Sequence, residues 1–371
     1  MSETGHDTTA VALGDMNGDG HLDIVLGNRA RRTVPSDPNS TLIDGQERIY
    51  LNDGAGRFDD PAGEIAFGAT VDTTWRLALG DVDGDGRLDV VTGEPGGQSR
   101  VWYNDGGAVP GFSTWDPVGS DGAPTYGIAV ADVDGDGALD VAAGLDAQQS
   151  RVHLSPGALG YLASPASTVG DSFDMTEALA LGDLDRDGDL DLVAGNSPPF
   201  DFASGHDPRS HAYFNDGSGG FGSAFPAFGI GEAEVRAVAV ADLTGDGTLE
   251  VLFGILGGQS LYLRPVFDPG GGLMFFDGGC PATCFGAAGA SARALATGDV
   301  DRDGDLDIVA GNVGTDAVHV NEGGGSFTDG GTRSFGGGNT TAVALGDIDG
   351  DGDLDAVLGN ADGQAVAYVN D

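Results

Sequence analysis

Seven stretches of the chain gather acidic side chains at one fixed spacing. The first reads Asp15-Met-Asn-Gly-Asp-Gly-His-Leu-Asp23. Oxygen-bearing side chains fall at positions 1, 3, 5 and 9, here Asp15, Asn17, Asp19 and Asp23, with glycine at position 6. The same positions hold Asp81, Asp83, Asp85 and Asp89, then Asp132, Asp134, Asp136 and Asp140, then Asp183, Asp185, Asp187 and Asp191. They recur as Asp242, Thr244, Asp246 and Glu250, as Asp299, Asp301, Asp303 and Asp307, and as Asp347, Asp349, Asp351 and Asp355.

Such a set suits a hard cation that takes six to eight oxygens, the carbonyl at position 7 included. Glycine at position 6 permits the left-handed bend that wraps the chain round an ion. An EF-hand loop opens the same way but closes with Glu at position 12, between helices. Here the closing acid is at position 9. Magnesium prefers a smaller octahedral shell with retained waters, so calcium is the expected ion. Up to seven Ca2+ are expected, and the loop with Thr244 and Glu250 is the weakest. Empty, the clustered carboxylates repel one another; filled, the ion pins the loop. Seven near-identical sites point to a structural role for the metal rather than a catalytic one.

The elements around the loops follow from periodicity. Before each loop, residues alternate small and bulky, as in Ala10-Val-Ala-Leu-Gly14. Period two marks a strand. Positions one, three and five before the first Asp are Ala or Gly, with Arg76 the exception. Positions two and four before it are Val, Leu or Ile, with Thr297 the exception. One face is therefore small and one bulky, which suits sheets that crowd round an axis. After each loop comes a β-branched run such as Leu22-Asp-Ile-Val-Leu-Gly27, then a third strand ending in an Asn-Asp-Gly turn, as at Asn52-Asp-Gly54. A Phe usually opens the fourth strand: Phe58, Phe112, Phe221, Phe327. The loops start 48 to 66 residues apart, which suits four-stranded propeller blades. The expected fold is all-β: one seven-bladed β-propeller over residues 1–371, of mostly four-stranded antiparallel blades with one calcium loop each. Only about eight residues precede the first strand. Either Met1–Glu3 add a short fourth strand to the last blade or that blade has three.

The formal net charge is −43, and all 16 basic residues are arginine. That surface repels nucleic acid and anionic membranes and favours cations, and it also suits solubility. No stretch has the length and hydropathy of a membrane-spanning helix, so membrane insertion is not expected. The first fifteen residues have no basic start or apolar run, so a leader, if the native protein has one, is not in this chain. Cys280 and Cys284 cannot complete a zinc site alone. A short disulfide is the preferred reading, in keeping with an oxidising compartment, and two free thiols are the alternative.

The Gly-Asp-x-Asp-Gly-Asp-Gly-x-Leu-Asp loops and the Tyr-x-Asn-Asp-Gly turns resemble the FG-GAP/VCBS repeat family, also seen in integrin α-subunit propellers. The resemblance covers essentially the whole chain. It implies a propeller with calcium between strands 1 and 2 and a ligand face on the opposite side. Family roles range over adhesion, lectin-like sugar binding and some polysaccharide-degrading enzymes, so the scaffold is better identified than the function.

Two connections on the opposite face are enlarged. One runs from Asn28 to Glu47 with Arg29, Arg31 and Arg32, the other from Asn196 to Arg209 with Phe200, Phe202, His206 and Asp207. The residue six before each loop should stand at the channel mouth: Thr9, Trp75, Tyr126, Glu177, Arg236, Arg293 and Thr341. Arg76 adds to them. Two aromatics, several arginines and a glutamate suit a polar ligand with an apolar face, such as a sugar. His153, His211 and His319 fall in or near third strands and are expected to pack or face solvent. No nucleophile–His–acid arrangement can be read from spacing, so no catalytic residue is assigned. The expected function is a calcium-stabilised extracellular or periplasmic binding or adhesion module, lectin-like, monomeric, with a glycan or extracellular protein as partner. The alternative is a propeller enzyme acting on a polysaccharide or small molecule at the same mouth.

Overall fold

The computed structural model describes residues 7–32, 42–43, 45–58, 63–119, 122–157, 166–172, 174–197, 209–225, 228, 230, 233–278, 283–327, 332–361 and 363–370. Every element among them is a strand. No helix is long and apolar enough to cross a membrane.

Each acidic loop joins two antiparallel strands. Around the first loop, Thr8–Gly14 pairs with Asp23–Asn28, Gly14 facing Asp23 and Leu13 facing Ile24. The strand before the loop is innermost in its sheet, and the strand after it is buried along its whole length. Third and fourth strands complete the sheet outward, as Glu47–Tyr50 and Glu64–Phe67 do in the first.

The small face of the inner strands has a direct cause in packing. A Cβ on Gly14 would stand 2.7 Å from Leu88 Cδ1 and 2.8 Å from Leu79 Cδ1 of the next sheet. Gly27, in a second strand, would meet Thr74 Cγ2 at 2.8 Å. Neighbouring sheets thus press bulky faces into small ones, and the cores lie between sheets. One cluster joins Met16, Val25 and Ile49 to Val90, Trp102 and Phe112. Another joins Ile24, Leu26 and Tyr50 to Ile348, Val357 and Ala365, the two ends of the chain.

The number of blades differs from the expectation of seven. The described strands form six large sheets, four of four strands and two of five, beside one two-stranded ribbon, Arg31–Arg32 with Leu42–Ile43. The sixth large sheet takes in both the sixth and the seventh repeat. Its long strand Thr332–Gly346 pairs first with Asp307–His319 and then with Asp355–Asn360. The reason is local. The turn at Val313–Gly314 pairs with Gly338 and Asn339, the connection into the seventh repeat, so the ladder does not break there. Three successive glycines, Gly336 to Gly338, all with positive φ, carry the chain through. The seventh repeat ends on Val366–Tyr368, and Met1–Glu3, expected beside it, lie outside the described residues. The circle still closes, because Thr341 Oγ1 donates to the Thr8 carbonyl at 2.6 Å.

Candidate functional site

The inner strands have two ends, and each end carries a candidate site. Five or six residues of extended chain separate them, roughly 15–20 Å.

At one end, each loop is curled by its own amides. Gly18 N–H donates to Asp15 Oδ1 at 2.7 Å and Gly20 N–H to Oδ2 at 2.8 Å. Gly20, at position 6, has φ +90°, as the left-handed bend requires. Position 4 is left-handed too, even where it is Arg186 (φ +69°) or Arg302 (φ +63°), a feature missed in reading the sequence. Carboxylate oxygens of Asp81, Asp83 and Asp85 lie within 4.8 Å of one another. So do those of Asp132, Asp134 and Asp136, of Asp299, Asp301 and Asp303, and of Asp347, Asp349 and Asp351. In the fourth loop the trio is Asp183, Asp185 and Asp191. Clustered, all-oxygen donors fit a hard cation, and calcium would supply the charge that they lack. The first loop has the neutral Asn17, whose Nδ2 donates to Asp19 Oδ2 at 2.9 Å. In the fifth, Thr244 turns to Glu250, its N–H 3.3 Å from Oε2 and its Oγ1 3.3 Å from Oε1.

The acid at position 9 does more than close the loop. Asp23 is fully buried, and its two oxygens accept the N–H of Met16 at 2.9 Å and of Asn52 at 2.8 Å. It therefore ties its own loop to the end of the third strand. Asp89, Asp140, Asp191, Asp307 and Asp355 do the same. Burial first, with the acids at positions 3 and 5 adding to it, pushes Asp89 up to about 6 and Asp191 up to about 7. A cation alongside opposes that shift. The asparagine reached in this way carries the tie onward. Asn52 Nδ2 donates to the Ile348 carbonyl at 2.6 Å, Asn104 to Met16 at 2.8 Å, and Asn215 to Val133 at 2.6 Å. Asn321 reaches Leu243 and Asn370 reaches Val300, each at 2.8 Å. Each acceptor is position 2 of the preceding repeat's loop. In these five repeats the loop and the contact with the preceding repeat are thus one hydrogen-bonded unit.

At the other end, the residues six before each loop come together. Thr9, Trp75, Arg76, Arg236, Arg293 and Thr341 line a cavity of about 370 Å³, with Arg29, Asn339 and Ala361. Tyr126 and Glu177 stand beside it. The Tyr126 ring meets Trp75 edge to face, centroids 5.6 Å apart. Glu177 Oε1 is 2.9 Å from Arg236 Nη1, and Arg236 also pairs with Glu234. Arg76 crosses the axis, and its Nη2 donates to the Arg236 carbonyl at 3.1 Å. It is the cavity's floor. Burial pushes Glu177 above the usual carboxylate range, while Arg236 and Arg76 pull it back. Thr9 and Thr341 each use their hydroxyl on one backbone carbonyl of their own repeat and one of the next, so they serve as walls rather than as free donors.

Of the enlarged connections, Arg29 is described; it pairs with Asp7 and lies 5.6 Å from the Trp75 ring centroid. Phe200, Phe202, His206 and Asp207 lie outside the described residues. His153 and His319 are buried. Cys284 is disulfide-bonded, and Cys280 lies outside the described residues. Arg29, named in the first enlarged connection, lines the mouth; Asn339 was not expected there, because the connection into the seventh repeat is not indexed by the repeat register.

Comparison with known proteins bears on the repeats and the fold. The chain matches the FG-GAP-like repeat family over residues 41–92, 81–143 and 299–358, and the FG-GAP repeat over 8–39. Integrin alpha-4 of Xenopus laevis is 29% identical over 167 residues, 39% of this chain but only 15% of that protein's length. Among solved structures, BBS1N in complex with ARL6DN superposes with a TM-score of 0.61 at 11% identity, covering 99% of this chain and 94% of that one. An Agrocybe aegerita lectin that recognises non-reducing terminal N-acetylglucosamine superposes at 0.57 and 21% identity, covering 88% and 80%. At these identities the two structures share a fold with this chain and no more. On the repeats that it matches, the chain belongs to the FG-GAP repeat family.

Proposed function

We propose that this chain is a calcium-stabilised extracellular or periplasmic binding module that acts as one unit. Its ligand, a glycan or an extracellular protein, sits at the mouth opposite the acidic loops. The observation that carries this reading is the cavity of about 370 Å³ walled by Trp75 and floored by Arg76. A half-buried indole at the cavity wall beside fixed guanidinium donors suits a sugar, apolar on one face and polar at its rim. Relatedness to integrin alpha-4 and the fold shared with a lectin support binding as the function. Calcium is assigned to the loops on their donor set, with the Asp242–Glu250 loop weakest. The test is a glycan array and a pull-down in calcium, repeated with Trp75→Ala and Arg236→Ala. Binding should fall at least tenfold in either variant; a ligand bound equally well by both would remove the mouth from consideration.

A second reading, an enzyme at the same mouth, is favoured by one observation. Glu177 is buried, its Oε2 has no partner, and its carboxyl is pushed upward. A raised carboxyl beside a cavity is what a general acid requires. Turnover of a polysaccharide panel that Glu177→Gln abolishes would establish it, and no turnover by the parent protein would exclude it for that panel.

A further inference from the structure

The mouth is a local reversal of charge. The whole chain carries −43, yet four of its 16 basic residues, Arg29, Arg76, Arg236 and Arg293, converge on one cavity. Three carboxylates answer them: Asp7 on Arg29, and Glu177 and Glu234 on Arg236. Arg76 and Arg293 have no ion-pair partner among the described residues. Arg76 donates only to the carbonyls of Trp75 and Arg236, and Arg293 to the Asn339 amide oxygen at 2.7 Å. Their guanidinium groups are held in place by neutral acceptors; Glu177 acts on Arg76 and Glu234 on Arg293 only across space, and four guanidinium groups against three carboxylates leave the mouth one positive charge in excess. Burial first, and the nearness of Arg236 to both, makes the charge of Arg76 and Arg293 unfavourable, with Glu177 offsetting part of this at Arg76 and Glu234 part of it at Arg293. An arrangement that gathers like charges under a cavity is stabilised by an anion that fills it.

We propose that the ligand at this mouth is an acidic saccharide, a sugar ring carrying a carboxylate or sulfate, with its anionic oxygens on Arg76 and Arg293 and its ring against Trp75. This rests on the mouth being the binding site and adds the ligand's charge. The planar forks of two arginines suit the oxygens of either group. The negative field of the rest of the molecule repels such a ligand at distance, so recognition depends on contact within the cavity, where the guanidinium groups are desolvated.

The probes are trigalacturonate, its methyl ester (the same sugar without charge) and a sulfated galactose trisaccharide. Calorimetry uses the intact chain in calcium. Trigalacturonate or the sulfated sugar should bind at least tenfold more tightly than the ester, and whichever binds more tightly identifies the anionic group. Arg293→Gln should weaken the acidic probe tenfold or more and leave the ester unchanged. That variant is preferred to Arg76→Gln, whose loss from the axis can also unfold the chain. Equal binding of acid and ester, or an unaffected Arg293→Gln, overturns the charge assignment while leaving the mouth as the site. No binding of any of the three overturns the acidic-saccharide assignment, and the mouth as a site is then decided by the pull-down with Trp75→Ala and Arg236→Ala.

Discussion

Glu47 opens a third strand with its carboxyl buried against the next repeat. Thr74 Oγ1 donates to Oε1, and Oε2 has no partner. Burial, with Asp72 and Glu94 adding to it, pushes Glu47 up to about 8 from an ordinary 4.5. Between those two values the folded protein holds a proton that the unfolded chain has released. Stability therefore falls as pH rises through that window, and the loss is complete above about 8. Glu47→Gln should remove this dependence, gaining on the parent protein as pH goes from 5 to 9. Urea midpoints of both proteins at the two pH values check it, and parallel profiles would refute it. Nothing in the sequence marks Glu47, because its burial depends on Thr74 in another repeat. The mouth was more legible. Counting six residues back from each loop finds Trp75, Tyr126 and Arg236, since a period-two strand fixes where its far end lies. That Arg76 reaches the carbonyl of Arg236 was not legible, because 160 residues separate them and only closure of the ring brings them together.

Strands and loops were the most legible elements, since alternation and the Asp-x-Asp-x-Asp-Gly spacing each have one physical meaning. The blade count was not, because it depends on whether a connection keeps its backbone pairing. The run Gly336–Gly338 reads as a turn, yet it lies inside one long strand, at a register shift where the pairing resumes on both sides. The tie between repeats was also hidden: the Asn-Asp-Gly motif reads as a hairpin turn, while its asparagine serves a neighbouring loop. Asn104 shows what that asparagine does. Its amide donates to the carbonyls of Met16 at 2.8 Å and Leu88 at 3.1 Å, and its Oδ1 accepts from Gly106 at 2.9 Å. Asn104→Ala leaves the Met16 carbonyl without this buried donor, a loss of about 1–3 kcal/mol. In the third repeat Ser155 stands at the same place; its hydroxyl accepts from Gly157 at 3.1 Å and makes no tie to the preceding loop. Ser155→Ala should therefore cost less than Asn104→Ala. Urea unfolding of both variants reads the difference, and equal costs would mean that the tie between repeats adds nothing to the turn.

At the scale of the molecule, seven acidic loops share one end of the ring, and no lysine is present to offset them. Without calcium, that end is a ring of like charge. If calcium fills the loops as proposed, each complete loop should gain mass-action stabilisation of about 2.7 kcal/mol when the ion stands at a hundred times its dissociation constant. Unfolding entropy of about 2.1 cal/mol/K per residue, over 371 residues, turns one filled site into a rise of about 3 °C in the melting temperature. Six complete loops filled together should then raise it by roughly 20 °C. A chelator should reverse that rise. Salt separates the two sources of the effect. Raising sodium chloride from 0.1 to 1 M shortens the screening length from about 10 to 3 Å, which weakens repulsion between loops but leaves each loop's own oxygens in close contact. The chelated protein should regain part of its lost stability in 1 M salt, while the calcium-loaded protein should shift little. Melting curves in calcium and in chelator, at both salt concentrations, read all four states. A curve unmoved by chelator at either concentration would show that the acidic loops hold no structural ion.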